Sequence, residues 1–330
     1  MFSESILCCS EHSVSLENLE DMESPRSSNS VGDLDMGAAS FSGSPLDGVA
    51  FRSISTLECR ETLKAMSTKQ LEFMPDVDKI RAQGGEDVFA HRRKVITCMA
   101  DICQKLDNND STFFSAVNIL DRFLSVHSVK ENQKVLFPLI GIACVSIATK
   151  MTEVSVPSLK SLQKFMGEGL PFNPSHIQGM EMGILNSLEW KMACITPCTV
   201  LCYVVKMLRD SYECISAEEA KVTYASSMSL MKKFVYDREY VEYSATEIAA
   251  ASVLKASLSH QQEMCCHDLM MQLNGDRKRS HDGTLATLCE CMTNMDSLGP
   301  VGPGYNSVYQ NNKRHISRSL SPRTPLGFYL

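Results

Sequence analysis

The sequence lacks any excess of positive charge. Its 330 residues carry 32 Lys and Arg against 39 Asp and Glu, a formal net charge of -7. Nucleic-acid affinity is built on clustered Lys and Arg that face phosphates, so this balance argues against direct nucleic-acid binding. Long hydrophobic runs are also missing. The most apolar stretch, Val135 to Ala148, is flanked by Lys134 and Lys150 and interrupted by Pro138 and Gly141. It falls short of the ~20 residues that span a bilayer, which predicts a buried core helix and no membrane partner. No run alternates convincingly with period two, and no Asn-Gly hairpin joins two strand-like runs, so a sheet is not expected.

A secretory signal is absent too: Met1 to Glu20 is acidic and has no basic leading region. Fourteen cysteines then suit a reducing compartment rather than a disulfide framework. Cys144 and Cys202 sit within apolar helical patterns, where a free thiol behaves as a small hydrophobe.

The motifs of common enzyme chemistry are lacking as well. There is no phosphate-binding Gly-x-x-x-x-Gly-Lys-Ser/Thr loop, no Gly-x-Ser-x-Gly elbow and no His-Glu-x-x-His. Eight His are scattered, with no two at metal-ligand helical spacing. Cys194, Cys198 and Cys202 share one helix face, but a zinc site would need a fourth ligand and exposure, so packing is the expectation. Cys289-Glu290-Cys291 lacks a Cys-x-x-Cys spacing. No catalytic residue, metal or cofactor is expected, and the chain is read as a binding protein.

What is present is helical periodicity between two polar ends. Ser24 to Ser55 and Leu298 to Leu330 are rich in Ser, Gly, Asp, Pro or basic residues with little apolar pattern. Such segments cannot bury enough surface to offset their ordering entropy. The expected organisation is a disordered segment over 1–57, helical domains over 58–194 and 195–296, and a disordered tail over 297–330. Phe113, Phe114, Val117, Leu120, Phe123 and Leu124 form a wide apolar stripe. Thr196-Pro197 can open another helix, continued by Val200, Leu201, Val204, Val205 and Leu208. Ala220 to Val235 and Ala245 to Leu258 behave similarly. About ten helical segments result, five before Trp190 and five after Pro197. The fold class is all-α, with two five-helix repeats around central helices.

Four stretches carry a family resemblance. They are Leu120-Asp121-Arg122-Phe123-Leu124-Ser125, the run Ile147 to Glu153, Met180-Glu181-Met182-Gly183-Ile184-Leu185, and Leu188-Glu189-Trp190. In this order they resemble the cyclin box, and the first looks most like D-type cyclins. The resemblance is clear from about His91 to Leu208 and weaker beyond. It implies two cyclin-box repeats and no enzymatic activity of the chain's own. It implies a regulatory subunit that binds and activates a cyclin-dependent protein kinase at the G1/S transition. Lys150, Glu153 and Glu181 would contact that kinase, Arg92 and Asp121 would form a buried ion pair, and Leu139 would belong to the core.

Leu7-Cys8-Cys9-Ser10-Glu11 fits Leu-x-Cys-x-Glu. In D-type cyclins this pattern docks on the retinoblastoma pocket protein, which makes Leu7, Cys9 and Glu11 the expected contacts. On the first helix of the box, His91, Lys94 and Cys98 stand where the family's substrate-docking patch has large apolar residues, so docking of Arg-x-Leu motifs should be weak. The connection from Ser125 to Lys134 is longer than is usual in the family. Ser24, Ser44, Ser321 and Thr324 each precede Pro and suit proline-directed kinases. Arg277-Lys278-Arg279 and Lys313-Arg314 are either import signals or solvated basic turns. Nuclear localisation is expected, with the cytoplasm also open. The rival reading is a cyclin-fold transcription factor or scaffold without kinase activation, which would need a basic face.

Overall fold

The structure, a computed structural model, describes residues 54–129, 136–166, 172–257, 259–274 and 281–294. Among the described residues the chain is helical, with short 3-10 turns and no strand. The first six α-helices are α1 (Thr56–Lys69), α2 (Val77–Lys105), α3 (Asp110–Val126), α4 (Phe137–Thr152), α5 (Leu159–Gln163) and α6 (Pro174–Ser187). Five more follow: α7 (Pro197–Asp210), α8 (Ala217–Phe234), α9 (Ala245–Ala256), α10 (His260–Asn274) and α11 (His281–Asn294). The all-α expectation holds, as two sets of five, α2–α6 and α7–α11. One further helix, α1, stands ahead of them.

The helix starts are written in the sequence. Ser55, Ser216 and Ser244 each accept from the backbone N–H of a Glu three residues on, and that Glu returns the bond. These capping boxes satisfy donors that have no partner inside the helix. Pro138, Pro174 and Pro197 occupy first turns, where their missing N–H costs nothing. The Leu188-Glu189-Trp190 wording proves to be a helix stop. Glu189 and Trp190 take φ of 51° and 60°, and the Trp190 N–H closes on the Leu185 carbonyl at 2.9 Å, in the manner of a left-handed cap.

α4 is the centre of the first set. Every residue from Phe137 to Thr149 is buried, because α2, α3 and α6 all pack on it. Gly141 allows the closest of these approaches. A Cβ there would lie 2.8 Å from Val95 Cγ1 and 3.4 Å from Met99 Cγ. α9, buried from Ala245 to Val253 except at Glu247, has the same position in the second set, against α7, α8 and α11. Buried apolar residues of both sets form one continuous core.

Two buried polar ties reach the second set, one from the first set and one from the end of α1. Arg92 donates to both oxygens of Asp121, at 2.6 and 2.8 Å, with each side chain 1–2% exposed. Its remaining nitrogen donates to the Val235 and Asp237 carbonyls at 2.9 and 3.2 Å, beyond the end of α8. The expected α2–α3 pair thus also fastens the second set. At the end of α1, the Gln70 side-chain oxygen accepts from the Thr246 N–H (3.0 Å) and hydroxyl (2.8 Å). α1 itself packs on α7 and α10, with Cys59 Sγ donating to the Tyr203 carbonyl at 3.6 Å. The first described helix is therefore seated on the second set.

Candidate functional site

The candidate site lies where α4 ends beside α6. Lys150 is in the last turn of α4, where the helix dipole favours a cation. Its ammonium donates to both carboxylate oxygens of Glu181 on α6, at 2.7 Å each. The pair is asymmetric: the Glu181 side chain is 7% exposed and that of Lys150 is 44%. A lysine ammonium has three donors. Two are engaged by Glu181, so a third N–H and the flank of the side chain face solvent.

Exposed apolar side chains lie close to this charge along the chain. Met151, Val154, Val156 and Met182 are 48, 74, 48 and 47% exposed. They sit beside the pair in sequence, on the exit from α4 and on α6. An ordinary solvated ion pair has no reason to carry four exposed apolar neighbours, whereas a docking surface combines apolar contact with a few fixed polar groups. The Lys150–Glu181 pairing was legible in the sequence. The Val154 and Val156 rim was missed, because it belongs to a connection with no periodicity.

The other predicted residues divide clearly. Arg92 and Asp121 meet as a buried pair, and Leu139, 1% exposed, is in the core. Glu153 turns away from Lys150 toward the start of α3, where the Asn109 backbone N–H donates to it at 2.7 Å. Leu7, Cys9, Glu11, Ser24, Ser44, Ser321 and Thr324 lie outside the described residues, as do Arg277-Lys278-Arg279 and Lys313-Arg314.

The three residues named on the first helix of the box differ in burial. His91 and Lys94 are half-buried, and His91 stacks on Phe137 at 5.0 Å. Cys98 faces inward at 9% exposure, and its neighbour on the other side, Val95, is fully buried against the Gly141 backbone. The three named positions do not share one outer surface, since Cys98 is buried in the core while His91 and Lys94 are half-buried.

The cysteines behave as packing groups. Cys198 is buried, and Cys202 Sγ lies 3.5 Å from the Cys198 carbonyl and 3.9 Å from the Tyr224 hydroxyl. Burial pushes the Cys98, Cys103 and Cys266 thiols up to about 12. Among the described residues no group of three or more His, Cys, Asp or Glu could hold a metal ion. No described helix is long and apolar enough to cross a membrane.

Comparison with known proteins points one way. The family described as "Cyclin, N-terminal domain" matches residues 61–193, which include α2 through α6. Cyclin-D4-2 of Arabidopsis thaliana is 28% identical over 269 residues, covering 80% of this chain and 85% of that protein. Cyclin-D4-1 of the same plant is 30% identical over 206 residues, covering 62% of this chain and 65% of the relative. Among solved structures, a viral cyclin from herpesvirus saimiri superposes with a TM-score of 0.53 at 20% identity, over 72% of this chain and 97% of that one. At that identity the likeness speaks to the fold alone.

Proposed function

The chain belongs to the cyclin family, on its D-type side, and from that premise we propose that it binds and activates a cyclin-dependent Ser/Thr protein kinase. The observation that carries this reading is the half-exposed Lys150 held by buried Glu181 among four exposed apolar side chains. The groove between α4 and α6 receives the regulatory helix of the kinase. Burying a Val or Met side chain fully is worth about 1.5–3 kcal/mol, so Met151, Val154, Val156 and Met182 supply much of the adhesion. The remaining Lys150 N–H supplies orientation. Held inward, the regulatory helix completes the kinase's own Lys–Glu pair and favours the open activation loop. The chain acts by shifting that equilibrium and catalyses nothing itself.

The test is a Lys150→Ala, Glu181→Ala double variant. It should keep the wild-type helical circular dichroism and lose both co-purification with the kinase and its activation. Wild-type affinity in a folded double variant would show that the grip lies elsewhere.

Retinoblastoma docking and control of the G1/S transition are the finer part of the proposal. They are supported by the Leu7-Cys8-Cys9-Ser10-Glu11 pattern and the D-type relatives. A second attachment point raises the effective concentration of the pocket protein near the kinase. Replacing Leu7, Cys9 and Glu11 together by Ala should abolish pocket-protein binding and leave kinase association intact. Nuclear residence with a cytoplasmic pool is proposed from Arg277-Lys278-Arg279 and Lys313-Arg314. A fluorescent fusion should leave the nucleus when both clusters are neutralised.

A further inference from the structure

Glu153 belongs to the same sequence motif as Lys150, yet its carboxylate serves the start of α3. One oxygen accepts from the Asn109 backbone N–H at 2.7 Å and from the Thr112 hydroxyl, and the other accepts from Asn109 Nδ2 at 2.9 Å. Asn109 occupies the N-cap position of α3 but makes no capping bond of its own. The cap therefore comes from another helix. The carboxylate at this end of α3 satisfies one of its free backbone N–H groups, that of Asn109, and sits at the positive pole of the dipole.

The neighbours tighten the same seam. Thr152 Oγ1 lies 2.7 Å from Thr112 Oγ1, and Asn108 Nδ2 donates to Thr149 Oγ1 at 2.8 Å. The last turn of α4, which carries Lys150, is thus fastened to the α2–α3 turn and the first turn of α3. Glu153 is also the residue at which α4 stops. Its backbone is extended, with φ -108° and ψ 146°, and the chain passes directly into Val154 and Val156.

We infer that Glu153 is a positioning residue: by capping α3 it fixes the end of α4, and so holds Lys150 and the Val154/Val156 rim in register for the partner helix. This rests on the kinase-binding reading above and assigns Glu153 no contact with the kinase. A carboxylate offers about four acceptor directions, and three donors already occupy this one. Glu153 is correspondingly half-buried between the exposed Thr152 and Val154.

The experiment uses the full chain with Glu153→Ala, Glu153→Gln, Thr112→Val, and the Glu153→Ala, Thr112→Val double variant. Hydrogen exchange of a peptide spanning 146–156 in the free protein reads the clasp, and kinase affinity reads its consequence. Glu153→Ala should speed exchange there and weaken kinase binding by about tenfold or more, the scale of one lost charge-assisted hydrogen bond. Gln keeps an acceptor and should restore most of both. Thr112→Val should act in the same direction, and the double variant should lose less than the two singles predict together, as coupled residues do. Unchanged exchange in a folded Glu153→Ala variant overturns the inference. So does a Thr112→Val variant with normal kinase affinity beside a defective Glu153→Ala, since Glu153 would then be a direct ligand. If the wild type captures no cyclin-dependent kinase, the kinase reading and the inference's claim on it both fail, while exchange still decides whether the clasp exists.

Discussion

Arg92 shows how one side chain can hold a fold without making it more stable than an apolar alternative. It is 1% exposed and meets the Asp121 carboxylate and two backbone carbonyls. Bringing two charges out of water costs several kcal/mol, which their attraction offsets only in good geometry. Removing one partner leaves the other charged, buried and unpaired. Asp121→Ala should therefore lose about 3–5 kcal/mol in urea unfolding. A double replacement of Arg92 and Asp121 by apolar residues of similar volume should lose less than that single change. The reverse ranking would show that the pair contributes net stability.

The buried thiols predict a pH dependence with a definite sign. Desolvation raises Cys98, Cys103 and Cys266 from 9.0 to about 12. A raised folded-state value means the folded chain favours the neutral thiol. The resulting stability is complete below the unfolded-state value near 9 and is lost progressively as pH rises toward about 12. The urea midpoint should fall between pH 8 and pH 10, and Cys→Ser changes at these positions should flatten that fall. An equal midpoint at both pH values would remove the thiols from the account.

Among the elements, α4 and α6 make opposite demands on glycine. At Gly141 a Cβ would strike Val95 Cγ1 at 2.8 Å, and Val95 and Met99 are themselves fully buried. Overpacking of that kind costs about 1–3 kcal/mol, which exceeds the helix-propensity gain of about 1 kcal/mol on replacing Gly by Ala. Gly179 on α6 has nothing within 4 Å of its would-be Cβ. Gly141→Ala should destabilise, and Gly179→Ala should stabilise by about 0.5–1 kcal/mol. Thermal melts of the two variants decide this, and stabilisation by both would show that the α2–α4 approach is looser than described.

Across the described molecule, the two helix sets share one core and are joined by Arg92, while Gln70 ties the end of α1 to the second set. Gln70 is 4% exposed and accepts two bonds from Thr246 across 176 positions of sequence. Gln70→Ala strands the Thr246 donors and should cost about 1–3 kcal/mol. The shared core also predicts a single unfolding transition. Trp190, the sole tryptophan, reports on the end of the first set, and far-ultraviolet circular dichroism reports on every helix. Their urea midpoints should coincide. Separate midpoints would show that the sets unfold independently.

By itself the sequence determined the helical class, the helix start at Thr196-Pro197 and the buried character of α4, and its likeness to the cyclin box singled out Arg92, Asp121, Lys150 and Glu181. The first three follow from local rules, Pro at a first turn and the spacing of apolar side chains; the four residues follow only from the motif wording that carries the family resemblance. Tertiary structure alone decided what each buried face meets. Periodicity shows that α1 has an apolar side, not that α7 and α10 cover it. The Lys-x-x-Glu wording groups Glu153 with Lys150, yet the end of α4 turns the Glu153 carboxylate to Asn109 at the start of α3, 44 positions away in the chain. By sequence Cys98 belongs with the docking-patch positions, yet it is buried in the core. Each of these outcomes depends on contacts between residues far apart in the chain, and no window of sequence contains both partners.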